Sequence, residues 1–109
     1  LRPGGGDPIL RRMSAYVINE IVVTEPERFE TYADQVPAII RKYGGEYVIR
    51  GGAPESVDGP PPPERLVVLR FESRDAARAW RNSPEYQAIL PIREATSTSR
   101  VYIVDGYAG

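Results

Sequence analysis

Apolar and polar positions along the chain follow two different periods. Residues 15–23, A-Y-V-I-N-E-I-V-V, are almost continuously apolar and rich in β-branched side chains. Such a run predicts a strand covered on both faces. Asn19 and Glu20 interrupt it at the centre. Consecutive strand residues point to opposite faces, so each must find a partner or a cavity on its own side. From Phe29 the spacing becomes helical: Phe29, Tyr32, Val36, Ile39, Ile40 and Tyr43 form one stripe. Thr24 is the expected N-cap, Pro26 falls in the first turn, and Glu25 and Glu27 suit the positive end of the helix dipole. Pro37 lies inside the stripe, where it removes a backbone donor and clashes with the preceding turn. A kink at residues 33–36, or two abutting helical pieces, is predicted.

Residues 43–52 read Y-G-G-E-Y-V-I-R-G-G. The first glycine pair ends the helix, residues 46–50 form a second strand, and the second pair ends it. Glycine carries no Cβ penalty at positive φ, so Gly44 suits the position after a helix, and Gly51 and Gly52 suit a turn or a close backbone approach. Strict alternation puts Tyr47 and Ile49 on one face, Val48 and Arg50 on the other. Residues 53–64 hold four consecutive prolines and read as a stiff polyproline II surface loop of a long hairpin. Residues 65–71, R-L-V-V-L-R-F, form a third strand, with Val67, Leu69 and Phe71 on one face and Leu66, Val68 and Arg70 on the other.

Ser73 caps the next helix, which buries Ala76, Ala77, Ala79 and Trp80. Ser83 as N-cap and Pro84 at N1 begin a second piece running through Tyr86 to about Leu90, with Pro91 near its end. Residues 96–99 read as a polar loop, and residues 100–104 as the fourth strand.

The order strand, helix, strand, strand, helix, strand is the split βαβ pattern of ferredoxin-like domains. The fold class is therefore α+β: a ferredoxin-like βαββαβ domain with a four-stranded antiparallel sheet. Right-handed crossovers place the first and third strands in its middle. The helices cover one face only, yet the strands are apolar on both. Two sheets packed face to face in a homodimer, closing a dimeric α/β barrel, would cover the other face.

Composition narrows the chemistry. With 109 residues the chain is long enough for one domain. Residues 13–107 are assigned to it; residues 1–12 read as a poorly ordered upstream extension or cloning remnant, without the apolar stretch of a signal peptide. The net charge of −1 shows no basic stripe, so nucleic acid is not an expected partner. No apolar run is long enough to predict a membrane span. There is no cysteine, which suits a cytoplasmic location, and no histidine. The commonest general base, metal ligand and haem ligand are all missing, so neither cofactor nor metal is expected, though the carboxylates of Glu20 and Asp105 remain available to a metal.

Y-A-D-Q-V-P, Y-G-G-E-Y-V-I-R-G-G, L-R-F-E-S-R-D-A-A-R-A-W and S-P-E-Y-Q occur in order across residues 13–107. In these motifs the chain resembles the domain of unknown function 1330 family of the dimeric α/β-barrel superfamily. The resemblance implies a small, dimeric, bacterial, cytoplasmic protein without an established activity. The wider superfamily includes cofactor-free monooxygenases of aromatic polyketides, haem-degrading and haem peroxidase-like enzymes, and lactone isomerases, with pockets between the helices and the concave side of the sheet. An Asn and a Trp occur here, but the histidine that accompanies them in haem degraders is missing, so haem degradation is not implied.

Several residues carry candidate chemistry. Arg50, beside Gly51 and Gly52, suits a carboxylate or other anion; alternatively it is a structural arginine that holds the hairpin. Glu20 and Arg70 lie on adjacent central strands and read as an ion pair at the dimer face, or Glu20 as a general base tuned upward by burial. Asn19, Tyr32, Trp80 and Tyr86 either line a small-molecule pocket or pack as core with a Tyr–Asn hydrogen bond. Ser83 reads as a cap, because no base accompanies it. Arg93 either reaches the carbonyls ending its helix or extends to a pocket mouth. The leading functional reading is a cofactor-independent enzyme acting on a small anionic or aromatic molecule. Arg50 would orient an acidic group, Asn19 and Tyr86 would supply hydrogen bonds, and Glu20 or a tyrosine would move protons. The alternatives are a ligand-binding or stress-related module without chemistry, and a purely structural dimer.

Overall fold

The elements of the computed structural model run β1 (Ala15–Val23), α1 (Pro26–Ala33), α2 (Val36–Lys42), β2 (Glu46–Gly51), β3 (Arg65–Phe71), α3 (Arg74–Arg81), α4 (Pro84–Thr96) and β4 (Ser97–Asp105). The structure describes residues 14–107, so the proposed extension at residues 1–12 lies outside the described residues. All neighbouring strands are antiparallel, in the order β2-β3-β1-β4. This is the ferredoxin-like arrangement, with β1 and β3 central as the crossovers require. Among the described residues no helix is long and apolar enough to cross a membrane.

One core fills the space between sheet and helices. Ala15, Val17 and Ile21 of β1, with Leu69 and Phe71 of β3, meet the helices' buried stripe of Phe29, Tyr32, Val36, Ile40, Ala77, Trp80, Tyr86, Ile89 and Leu90. The last turn of α2 closes tightly onto the sheet. Gly44 adopts φ +81°, and a Cβ on Gly45 would lie 2.5 Å from the Phe71 ring, so no side chain fits there.

Pro37 divides the first helical stretch into two pieces, and the proline falls in the first turn of α2, where its missing N–H leaves no bond unmade. Ser73 and Ser83 cap α3 and α4 by accepting from the amides of Ala76 and Tyr86. Three local expectations are corrected. The N-cap of α1 is Glu25, not Thr24: the first helical bond runs from the Phe29 amide to the Glu25 carbonyl at 2.9 Å, and the amides of Thr24 and Glu25 both donate to the Thr96 carbonyl. The fourth helix does not stop near Leu90; it passes through Pro91 to Thr96, and β4 begins directly at Ser97, so no polar loop intervenes. The hydroxyls of Thr96 and Ser97 accept the task of a cap, donating to the carbonyls of Ile92 and Arg93 at 2.6 Å each. Strict alternation also fails in β2. The register shifts between Tyr47 and Ile49, so Ile49 opposes Val68 while Tyr47 and Arg50 oppose Leu69 and Val67. The bulge at Val48 thereby turns Tyr47 and Arg50 to the same, helix-facing side.

Candidate functional site

A cavity of about 50 Å³ lies between the centre of the sheet and the helical layer. Asn19 forms part of its base. It opposes Val67 of β3 and Val101 of β4, and shares the parity of Val17 and Ile21, so it faces the helices. Tyr32 descends from α1, Trp80 from α3, and Tyr86 and Arg93 from α4. Tyr86, Ile89, Leu90, Arg93 and Thr96 are the buried positions of α4, spaced as one inward helical stripe. Arg93 therefore occupies a core position, and only 8% of its surface is exposed.

The polar atoms of the cavity make few bonds within the protein. The Arg93 guanidinium donates through Nη1 to the Tyr86 hydroxyl at 3.2 Å, and the Tyr86 and Tyr32 hydroxyls lie 2.7 Å apart. Arg93 Nε, Arg65 Nε, Trp80 Nε1 and Asn19 Oδ1 are buried and have no hydrogen-bond partner among the described residues. The Trp80 ring packs in tilted contact with Tyr86 and Phe71, at centroid distances of 4.5 Å and 5.7 Å, which holds its orientation. Burial, then the neighbouring Tyr86 hydroxyl, push the Tyr32 phenol well above its ordinary value, so it stays protonated at neutral pH.

Charge in the lining is one-sided. Arg50, Arg65, Arg81 and Arg93 contribute to it, and among the described residues no aspartate or glutamate does. Among the described residues none of these four arginines forms an ion pair; the ion pairs engage Arg28, Lys42, Arg70, Arg74, Arg78 and Arg100. Arg50 lies 4.7 Å over the Tyr47 ring, Arg65 5.5 Å over Phe29, and Arg81 5.6 Å over Tyr86. These stacked guanidiniums pack while keeping their charge.

The structure thus brings Asn19, Tyr32, Arg50, Trp80 and Tyr86 to one cavity. Arg50 also has a structural contact, donating to the Ala33 carbonyl at 3.1 Å. The Tyr–Asn hydrogen bond expected of the core does not form, since the two tyrosines bond each other instead. Glu20 is not part of the site. It lies on the opposite face of β1, where it accepts from Tyr102 at 2.7 Å and from Arg100 at 3.1 Å. Those bonds, Tyr102 first, hold its carboxyl below the usual carboxylate range, the reverse of the upward tuning a general base needs. Nor does it pair with Arg70. The register sets Glu20 opposite Leu66 and Arg70 opposite Tyr16, and Arg70 bonds Glu46 at 2.8 Å. Asp105 is engaged by Arg74 at 2.7 Å, and among the described residues no three His, Cys, Asp or Glu cluster to hold a metal.

Arg93 is the residue that sequence reasoning left undecided. Its signal was present in the spacing: Tyr86, Ile89, Leu90 and Arg93 are an uninterrupted inward series once the helix continues past Pro91. An arginine in such a series is buried, and a buried arginine needs an anion.

Comparison with known proteins agrees with this architecture. The profile of the family described as domain of unknown function (DUF1330) matches residues 14–107. A search of curated proteins finds no match. Among solved structures, a protein of unknown function from Rhodopseudomonas palustris (RPA0582) is 16% identical, with 88% of this chain and 84% of that one covered and a TM-score of 0.75. SnoaB, a cofactor-independent oxygenase from Streptomyces nogalater, is 18% identical, with 86% and 93% covered and a TM-score of 0.61. Rv0793 from Mycobacterium tuberculosis is 22% identical, with 86% and 95% covered and a TM-score of 0.53. At these identities the likeness is one of fold, that of the dimeric α/β-barrel proteins.

Proposed function

This chain belongs to the domain of unknown function (DUF1330) family, which carries no assigned activity, and from that premise we propose that its cavity binds a small organic anion. One observation carries the reading: Arg93 is buried, and among the described residues no carboxylate meets it. Arginine does not deprotonate in proteins, so the charge cannot be relieved by losing a proton. A desolvated lone cation costs several kcal/mol, and a bound carboxylate offsets that cost with charge-assisted hydrogen bonds. Arg50, Arg65 and Arg81 add attraction from the surrounding lining. The small volume limits the buried part of the ligand to a handful of non-hydrogen atoms.

Binding is favoured over proton abstraction because no described residue brings a carboxylate to the lining, the sequence has no histidine, and Tyr32 stays protonated. Cofactor-independent turnover is the second reading. It is favoured by the Arg93–Tyr86–Tyr32 hydrogen-bonded series, a set of donors suited to negative charge developing on a bound molecule. Titration calorimetry with propionate, at low salt, tests the binding reading. Heat of binding in the wild type and none in Arg93→Met supports it; equal binding by both proteins overturns it.

The same reading includes a homodimer. Tyr102 and Val104 are 37% and 38% exposed on the sheet face away from the helices, beside Ile18, Leu66 and Val68. A sheet apolar on both faces requires a second layer, and another copy of the sheet supplies one of matching shape. Light scattering at micromolar concentration should give twice the chain mass; a monomer mass would end this part of the proposal.

A further inference from the structure

We infer that the ligand is a short-chain dicarboxylate, one carboxylate held inside by Arg93 and the other at the mouth between Arg50 and Arg65; this rests on the anion reading above and deepens it. The topology brings these three arginines to one end of the cavity. Arg50 opposes Val67 near the end of β2, and Arg65 opens β3 opposite Ile21 of β1. The two are diagonal neighbours on the helix-facing side, with Cβ atoms on the order of 7 Å apart. Arg93 sits one turn before the end of α4, and that end is tied to the same end of the sheet. The Thr96 carbonyl accepts there from the amides of Thr24 and Glu25, just beyond β1. Rings of the lining fix two of the guanidiniums, Arg50 over Tyr47 and Arg65 over Phe29, and the bond to the Tyr86 hydroxyl fixes Arg93.

Their depths differ. Arg93 is buried, Arg65 is half-buried and Arg50 is exposed, so they run from the interior to the opening. Among the described residues none of the three has a carboxylate partner, and Glu64, beside Arg65, is exposed and forms no ion pair. Charge acts through space, whichever nitrogen faces the ligand. One carboxylate answers Arg93 and leaves two positive charges at the mouth. A second negative charge at that depth answers them. Arg50 has donors to hold it, because its bond to the Ala33 carbonyl uses one N–H of a guanidinium that carries several. The difference in depth separates the two charges along the ligand, and so selects two carboxylates over one doubly charged phosphate. The inner volume of about 50 Å³ takes one carboxylate and a short carbon chain, and the outer carboxylate stays in the opening.

Butyrate, succinamate and succinate share one carbon skeleton and end in a methyl, a neutral amide and a second carboxylate. Their calorimetric titration into the intact protein at neutral pH tests the inference. At low salt succinate should bind about tenfold more tightly than succinamate, the low end for a charge-assisted hydrogen bond. High salt should narrow that gap, because Arg50 is exposed. Arg50→Gln should abolish it, and a gap that survives this substitution would overturn the placement of the outer carboxylate. Equal binding of succinate and succinamate to the wild type would overturn the dicarboxylate assignment while the anion reading stands. Tightest binding by butyrate would overturn it in favour of an apolar tail. Tighter binding of propyl phosphate than of succinate would overturn it in favour of a phosphate monoester. No binding of any of the four would remove both readings. The wild-type series decides even where the Arg50 variant does not fold.

Discussion

The two faces of the sheet handle charge in opposite ways. On the open face Glu20 meets Arg100 and Tyr102, and Glu46 meets Arg70. Each charge there is answered from within the chain, and the surrounding residues are apolar. On the helix-covered face Arg50, Arg65, Arg81 and Arg93 line a cavity with no carboxylate opposite them among the described residues. The paired face has what it needs electrostatically and lacks only a hydrophobic cover. The unpaired face is well covered by helices and lacks a counter-ion. The difference supports the proposed roles: association for the open face and ligand binding for the covered one.

The sharpest way to break this comparison is Arg93→Met. Acid binding should fall by about 10- to 150-fold, the value of charge-assisted hydrogen bonds. The free protein should keep or gain stability, by about 1 kcal/mol or more, since an uncompensated buried charge is replaced by an apolar side chain. Urea unfolding without ligand reads the second effect. A large loss of stability would mean that Arg93 is a structural element and not a waiting partner.

Val104→Glu acts on the other face. Association should weaken by at least about tenfold, because a charge enters an apolar contact. Light scattering should show a monomer that still binds acid as the wild type does. Loss of both properties together would show that the two faces are not independent.

Tyr86→Phe removes the hydroxyl shared by Tyr32 and Arg93. It should destabilise the protein by about 1–3 kcal/mol, because two buried groups lose their partner at once. Chemical denaturation measures it; an unchanged midpoint would mean that the tyrosine pair contributes nothing.

The smallest effect concerns acid. Glu85, in the first turn of α4, is hydrogen-bonded by Lys42 and Tyr43 at the end of α2, and Lys42 first holds its carboxyl down to about 2. Its folded value lies below the unfolded one, so the unfolded chain binds the proton more readily. The contribution is complete above about pH 4.5 and is lost as pH falls toward about 2. Glu20, likewise lowered, contributes in the same direction from the open face. Both groups are solvent-facing, so the loss is modest. The urea midpoint should decline from pH 6 to pH 3 in the wild type and decline less in Glu85→Gln.

Element order, strand parity in β1 and β3, the serine caps and the break at Pro37 were all legible in the residues, since each depends on neighbours a few positions away. From that order alone followed the sheet topology and the gathering of Asn19, Tyr32, Trp80 and Tyr86 under the helices. Arg50 reached the cavity through a bulge at Val48 that strict alternation does not foresee. Bulges depend on how an edge strand fits its partner. The continuation of α4 through Pro91 was equally hidden, because local propensity opposes it and only the packing of Arg93 and Thr96 favours it. The partner of Glu20 was set by register, which pairs residues distant in the chain.

What the sequence determined by itself, then, is a ferredoxin-like domain, an apolar open face and the absence of histidine and cysteine chemistry, because composition and short-range periodicity carry that information. Only the tertiary structure decided which charges are answered. Ion pairing depends on which side chains meet across strands and helices, and those meetings leave Glu20 paired and Arg93 buried without a carboxylate.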